Sequence, residues 1–315
     1  MKEQKPMKTI VFGGAGFLGS HVADALTEAG HEVIVFDRVN SHYLRKGQRE
    51  IVGDILDDVF VREAVEGCDV VYNFAGVSDI GKASNNPLAT VKNNILGNSI
   101  LLECSRQASI KRFIFASSLY VYSNSASFYR SSKQACELIV DNYHDVYGLN
   151  YTILRYGSLY GPRSSEDNWV YSMLKQALTE KKIVRFGDGE ELREYIHVRD
   201  AARLSVEVMD PEYANQHVII TGAHQIRMRD FLTMIREMLQ GKVDVEYHPS
   251  DDNEHYEITP YVFKPTVARR LHGNHYFDLG QGVYEMLGDI YKDAVIRKNM
   301  DNITIPVKIG DVAAK

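Results

Sequence analysis

The sequence predicts an α/β fold, a Rossmann-like, doubly wound parallel sheet with a smaller, mainly C-terminal α/β lobe for substrate. Three observations carry that prediction. A glycine-rich turn, FGGAGFLGS, joins an apolar run to a helical one near the N-terminus; strand-like and helix-like segments then alternate as far as LYGPR, residues 159–163; beyond it the alternation loosens.

The elements follow in order. KTIVFGG is a short apolar run stopped by glycines, the pattern of a strand buried on both faces. FLGSHVADALTEAG has helical spacing and ends at Gly30, and HEVIVFD is the second strand of a βαβ unit. The same order recurs in VREAVEGCDVVYNFAG, in NNILGNSILLECSRQASIKRFIFASS and in YRSSKQACELIVDNYHDVYGLNYTILRYG. After LYGPR, the helical segments WVYSMLKQALTE and MRDFLTMIREMLQ are set apart by polar stretches, while REYIHVRDAARLSVEVM and QHVIITG still read as parts of the sheet domain. The expected division is residues 7–160 plus about 192–222 for the dinucleotide domain, and about 161–191 plus 223–315 for the lobe. The charged tail from about residue 292 reads as a surface element.

Composition excludes several classes. A chain of 315 residues with 44% hydrophobic and 25% charged residues is an ordinary globular protein large enough for a substantial core. A net charge of -6 offers no general attraction to nucleic acid or to an anionic membrane, and there is no apolar stretch of the ~18 residues a membrane helix needs. Cys68, Cys104 and Cys136 are odd in number and lack metal or CxxC spacing, as expected for reduced, buried thiols in the cytoplasm. His272 and His275 have no further ligands at metal spacing, and no metal site is expected.

Gly13, Gly16 and Gly19 stand where a dinucleotide fold needs a tight turn, close approach of a pyrophosphate to backbone N–H groups, and helix-to-strand packing. Asp37 closes the second strand about 20 residues on, where a carboxylate bonds the adenosine ribose hydroxyls. It disfavours the 2′-phosphate of NADP, which the neighbouring Arg38 would tolerate; NAD is the expected cofactor.

The spacing GxxGxxG resembles the short-chain dehydrogenase/reductase family, and later segments resemble its extended, nucleotide-sugar-modifying branch along most of the chain. VGDILD is similar to the segment whose Asp54 and Ile55 contact adenine, and VVYNFAGVSD to the strand end where Phe74, Ala75 and Gly76 run along the cofactor. NPLATVKNNILGNSILLECSRQASIKRFIFASS resembles the stretch that carries a structural or cofactor-contacting Asn, here Asn94, and ends in the catalytic hydroxyl; LRYGSLYGPR and FGDGEELREYIHVRDAA resemble two further signatures of the branch. The resemblance also implies Phe17, Leu18, Ser117 and Tyr156 at the cofactor, and Ser158 and Arg193 at the substrate, with Arg193 on the diphosphate through its two-pronged donor geometry.

The stretch ASFYRSSKQACELI places Tyr129 and Lys133 four apart at a helix start, on one face. Among 19 tyrosines about one such pair arises by chance, and Tyr171 with Lys175 is a second. Position separates them: Tyr129 follows the FIFASSLYVYS strand of the sheet domain, whereas Tyr171 falls in the lobe. A free tyrosine, with pKa ~10, is a poor base at neutral pH, and a nearby ammonium favours its phenolate. The resemblance implies that Lys133 also holds the nicotinamide ribose and that Ser118 orients the reacting sugar hydroxyl, with Ser117 as the alternative.

Dehydratases of the branch carry Asp-Glu after the catalytic Ser/Thr, where this chain has Leu119 and Tyr120. Dehydration is therefore disfavoured, and C4 epimerisation of a nucleotide-activated sugar is the leading expectation. A nucleotide-sugar 4-dehydrogenase or 4-ketoreductase is the alternative within the class, and a non-catalytic dinucleotide-binding sensor or scaffold the alternative outside it. Two departures bear on the substrate: the segment between Tyr122 and Tyr129 is short, and DDNEHYEITPYVFKPTVARRL lacks an RPGD-like arginine. His197 reads as structural. The resemblance implies a homodimer through a four-helix bundle, for which Ile95, Ile100, Leu101, Ile139 and Val140 are an apolar stripe that core packing explains equally well.

Overall fold

The structure, a computed structural model, describes residues 5–123, 126–249, 269–273 and 275–291. DDNEHYEITPYVFKPTVARRL up to residue 268 and the tail from residue 292 lie outside them.

In chain order the strands are β1 (Lys8–Phe12), β2 (Glu32–Asp37), β3 (Gln48–Val52), β4 (Val70–Asn73), β5 (Arg112–Ser118), β6 (Tyr151–Tyr156), β7 (Ser158–Tyr160), β8 (Lys182–Phe186), β9 (Leu192–Arg193), β10 (Tyr195–His197), β11 (Gln216–Ile220), β12 (Ile226–Arg227), β13 (Asp244–His248) and β14 (Arg269–Arg270). The helices are α1 (Phe17–Glu28), α2 (Asp58–Val65), α3 (Ile80–Asn85), α4 (Pro87–Thr90), α5 (Gly97–Gln107), α6 (Ser127–Tyr147), α7 (Trp169–Glu180), α8 (Val198–Glu207), α9 (Met228–Met238) and α10 (Leu279–Tyr291), with a π-helical turn, Val91–Leu96, leading into α5.

Eight strands form one parallel sheet in the order β3-β2-β1-β4-β5-β6-β11-β14. The chain steps outward from β1 to β3, then returns to place β4 on the other side of β1. This reversal opens a crevice at the carboxyl ends of β1 and β4, where open α/β sheets bind ligands.

Alternation along β1 assigns the two faces. Val11 joins the core beneath α1 and α8, with Val22, Leu26, Leu204 and Val218, whereas Ile10 and Phe12 join Phe36, Val61, Leu101 and Val140 beneath α2, α5 and α6. Burying each such large apolar side chain contributes roughly 1.5–3 kcal/mol. Leu101 and Val140, 0% and 1% exposed, are thus core residues and lie outside any surface stripe; Ile95, Ile100 and Ile139 pack against the same core. The cysteines are free and buried.

The lobe is built from α7, α9 and α10 around Leu174, Leu178, Phe231, Leu232, Ile235 and Leu287. Three small sheets pair β7 with β10, β9 with β12 and β8 with β13, of which β7, β9 and β10 fall in the ranges expected for the dinucleotide domain. β14, within the range expected for the lobe, extends the edge of the central sheet through Val218 and Ile219. His197 links the two parts: it caps α8 by accepting from Arg199 N at 3.3 Å and stacks on Phe277 at 4.2 Å between centroids.

Among the described residues, no helix is long and apolar enough to cross a membrane, and no group of His, Cys, Asp and Glu side chains is arranged to hold a metal ion.

Candidate active site

A cleft of about 610 Å³ runs from the glycine turn, across the ends of β1, β4 and β5, to the lobe. That volume is within the range of small-molecule and cofactor sites.

At one end the backbone itself forms the cradle. Gly13 has φ of +76°, and a Cβ there would meet the Phe74 carbonyl carbon and the Ala75 nitrogen at 2.7 Å. A Cβ on Gly19 would fall 2.2 Å from the Gly13 oxygen. Gly16 begins α1 without a side-chain cap, so the positive end of the helix faces the cleft, as an anion site requires. Asp37 is tied into this turn: its carboxylate accepts from Ala15 N at 3.1 Å and Arg38 N at 2.7 Å. Phe17, Leu18, Arg38, Ile55, Phe74, Ala75 and Gly76 line the same end.

Asp54 and Asn94 are not among the cleft-lining residues. Asp54 is exposed and caps the following turn through Leu56 N at 3.0 Å. Asn94, buried in the π-helical turn, works from behind the strand end: its amide accepts from Val77 N at 2.6 Å and donates to Val77 O at 3.0 Å and Ser132 Oγ at 2.9 Å. Of the two roles expected for Asn94, the structural one is visible here.

In the middle of the cleft β5 and α6 bring Ser117, Ser118, Tyr129 and Lys133 together. The Lys133 ammonium donates to Ala116 O at 2.7 Å and lies 4.9 Å from the Phe115 ring centroid and 5.9 Å from that of Tyr129. Burial pushes its pKa below that of a free lysine, while Cys136 and Glu137 act in the opposite direction. The Tyr120 ring meets Tyr129 edge-on at 6.2 Å.

The two serines are in different situations. Ser117 Oγ donates to Glu137 Oε1 at 2.5 Å, so its proton is directed away from the cleft. Ser118 Oγ accepts from Tyr120 N at 3.3 Å, capping the strand end while leaving its own proton free of that bond. Behind them lies a buried network that sequence reasoning missed. Glu137 accepts from Arg155 Nε at 2.9 Å and Nη2 at 2.7 Å; Arg155 also donates to the Tyr122 hydroxyl and to His217 Nδ1 at 2.8 Å; His217 Nε2 meets Asp141 at 3.0 Å. The signal available was Glu137 one helical turn beyond Lys133.

Tyr156, Ser158 and Arg193 line the cleft, joined by Trp169, Arg185 and Tyr195. Tyr156 binds Ser205 Oγ at 2.6 Å, and Arg193, 6% exposed, donates to Leu192 O at 3.0 Å. Arg185 pairs with Glu191 and sits over the Trp169 ring at 5.8 Å. Trp169 is the chain's single tryptophan, a composition signal that went unused; nothing in its spacing marked Arg185. By contrast neither Tyr171 nor Lys175 of the second Tyr-x-x-x-Lys pair lines the cleft, and Lys175 on α7 is ion-paired with Glu166.

Comparison with known proteins shows what the whole chain is similar to. Residues 9–221 match the NAD dependent epimerase/dehydratase family. Protein CapI of Staphylococcus aureus is 31% identical over 310 residues, covering 82% of this chain and 92% of the relative. The UDP-glucuronate 4-epimerase of Thermodesulfobacterium geofontis is 25% identical over 268 residues, covering 76% and 82%. Among solved structures, the UDP-glucose 4-epimerase of Thermotoga maritima with UDP-glucose superimposes with a TM-score of 0.78 at 24% identity, covering 90% of this chain and 98% of that one.

Proposed function

The chain belongs to the NAD-dependent epimerase/dehydratase family, and on that premise we propose that it is a nucleotide-sugar 4-epimerase using Ser118, Tyr129 and Lys133. The observation that carries this reading is the convergence of those three side chains with the glycine cradle and Asp37 in one cleft.

NAD bound in this cleft would supply the hydride acceptor for C4 and then the hydride donor to the opposite face of the 4-keto sugar. The cradle at Gly13, Gly16 and Gly19, the α1 N-terminus and Asp37 suit its pyrophosphate and adenosine ribose; the Asp37 carboxylate opposes a 2′-phosphate, which supports NAD over NADP. Tyr129 takes the C4 hydroxyl proton and later gives it back, Lys133 supplies the cation that favours the phenolate, and Ser118 donates to the reacting oxygen. Ser117 is unsuited to that last role because its proton is engaged by Glu137.

Dehydration needs a further acid–base group beside Tyr129. Leu119 is buried in the core and Tyr120 carries no carboxylate. Among the described cleft residues the carboxylates are Asp37, at the adenosine end, and Asp167, which pairs with Lys82 at 2.6 Å. Arg193 and Arg185 supply cationic character toward the lobe, suited to the diphosphate of a UDP-sugar-like substrate such as those named for the relatives.

We also infer a homodimer. Leu88, Val91 and Leu96 before α5, and Leu138, Val146 and Tyr147 on α6, are large apolar side chains left 45–79% exposed, an apolar surface suited to a second copy.

The deciding experiment incubates NAD-loaded protein with UDP-, dTDP-, GDP- and CDP-hexoses and resolves products by NMR. Inversion at C4 without net cofactor reduction is expected. Stoichiometric reduced cofactor with a 4-keto sugar would assign a dehydrogenase instead, and no response to any sugar would overturn the catalytic reading.

A further inference from the structure

We propose that Glu137 is a positioning residue for the acid–base pair, its buried carboxylate serving as the fixed counter-charge that keeps the Lys133 ammonium beside Tyr129. The proposal rests on the reading of Tyr129 and Lys133 as that pair.

The geometry comes from α6. Tyr129, Lys133 and Glu137 succeed one another at four-residue intervals, so they rise on one helix face at about 6 Å per step. All three are buried, at 8%, 8% and 7% exposure. An ammonium so enclosed loses its hydration and needs a nearby negative charge to remain charged. Its hydrogen bond to Ala116 O supplies a dipole, and the first carboxylate along α6 is that of Glu137, one turn on, whose charge Arg155 shares. Glu137 is also twice as far from Tyr129, about 12 Å along the axis, so its attraction for Lys133 outweighs its repulsion of a phenolate.

The carboxylate is held firmly. Ser117 on β5 and Arg155 on β6 donate three hydrogen bonds to it. The other titratable groups around it are Tyr122 and His217, both bonded to Arg155, the Cys136 thiol and Asp141 on its own helix, and Tyr151 on β6. Arg155 donates to His217 Nδ1, which therefore carries no proton there, and the Nε2 proton goes to Asp141. The network thus runs from Ser117 at the cleft to Asp141, 31% exposed, with Arg155 partly balancing Glu137.

The test needs no sugar. Tyrosinate difference absorbance of the NAD-loaded protein, measured against Tyr129→Phe, follows the titration of Tyr129. In Glu137→Gln the midpoint is expected to rise by roughly one pH unit, because Lys133 loses its proton earlier. Glu137→Asp, which retains the charge, is expected to stay near the original midpoint, as is Asp141→Asn, whose carboxylate lies two turns from Lys133. An unchanged or lowered midpoint in Glu137→Gln, or equal shifts in all three variants, overturns the proposal. Should Glu137→Gln fail to bind NAD, the Lys133 side-chain carbon shift in isotope-labelled, unmodified NAD-loaded protein decides: a charged amine at neutral pH is expected, and a neutral one overturns it. Failure to find a sugar substrate would leave both measurements interpretable.

Discussion

Lys133 donates to the carbonyl oxygen of Ala116 across 2.7 Å, which anchors the start of α6 to the end of β5. That bond fixes the ammonium close to the Tyr129 ring and ties the chemistry of the helix to the strand that carries Ser118.

If Tyr129 is the base, Tyr129→Phe removes the proton acceptor while keeping the ring contact with Tyr120. Turnover is expected to fall about 10²–10⁴-fold with NAD affinity nearly unchanged. Parallel measurement of kcat and of NAD binding checks both halves, and full turnover by the variant would refute the assignment.

Gly19→Ala places a methyl 2.2 Å from the Gly13 oxygen, a contact that only backbone displacement relieves. NAD binding should be lost or weakened by more than about 10-fold, some 1.4 kcal/mol, while Gly30→Ala, where a Cβ would meet nothing within 4 Å, should leave affinity intact despite its strained φ of +85°. Titration of NAD against each variant separates the cradle from general glycine effects.

Asp37→Asn retains an acceptor for Ala15 N but removes the negative charge at the adenosine ribose. The ratio of NADP to NAD affinity should rise about 10-fold or more, since opposing a phosphate with a like charge costs at least ~1.4 kcal/mol. Equal preference before and after the change would remove Asp37 from the selectivity role.

Stability should decline on acidification through two histidines. Burial lowers the pKa of His21 to about 4 and of His197 to about 3, from an ordinary 6.5. Below pH 6.5 the unfolded chain binds protons that the folded chain refuses, so stability is full above that value and falls as pH drops toward 4. His21 alone contributes on the order of 3 kcal/mol to that loss. Urea midpoints measured from pH 7 to pH 5 should fall, and His21→Gln, able to keep a donor toward Pro162 O, should flatten the curve.

The homodimer proposed above predicts that Leu138→Arg, at a side chain 65% exposed on α6, gives monomers without loss of folding. Sedimentation at matched concentrations is the check, and an unchanged mass would exclude this face as the interface.

Sequence alone determined the parallel sheet and the glycine turn with Asp37 after it, because each is local, whereas the Tyr129–Lys133 spacing recurs at Tyr171–Lys175 and only its place after β5 set it apart. A turn needs glycine at particular positions, a buried strand needs consecutive apolar residues, and a helix face follows from spacing of four. Only the tertiary structure decided which serine has its proton free of Glu137, that Asn94 pins Val77 from behind the cleft, and that Leu101 and Val140 are core. It alone assembled Ser117, Glu137, Arg155 and His217 from β5, α6, β6 and β11. Those relationships depend on which strands neighbour one another and which face each side chain takes, and no spacing along the chain encodes contacts between residues as far apart as Arg155 and His217.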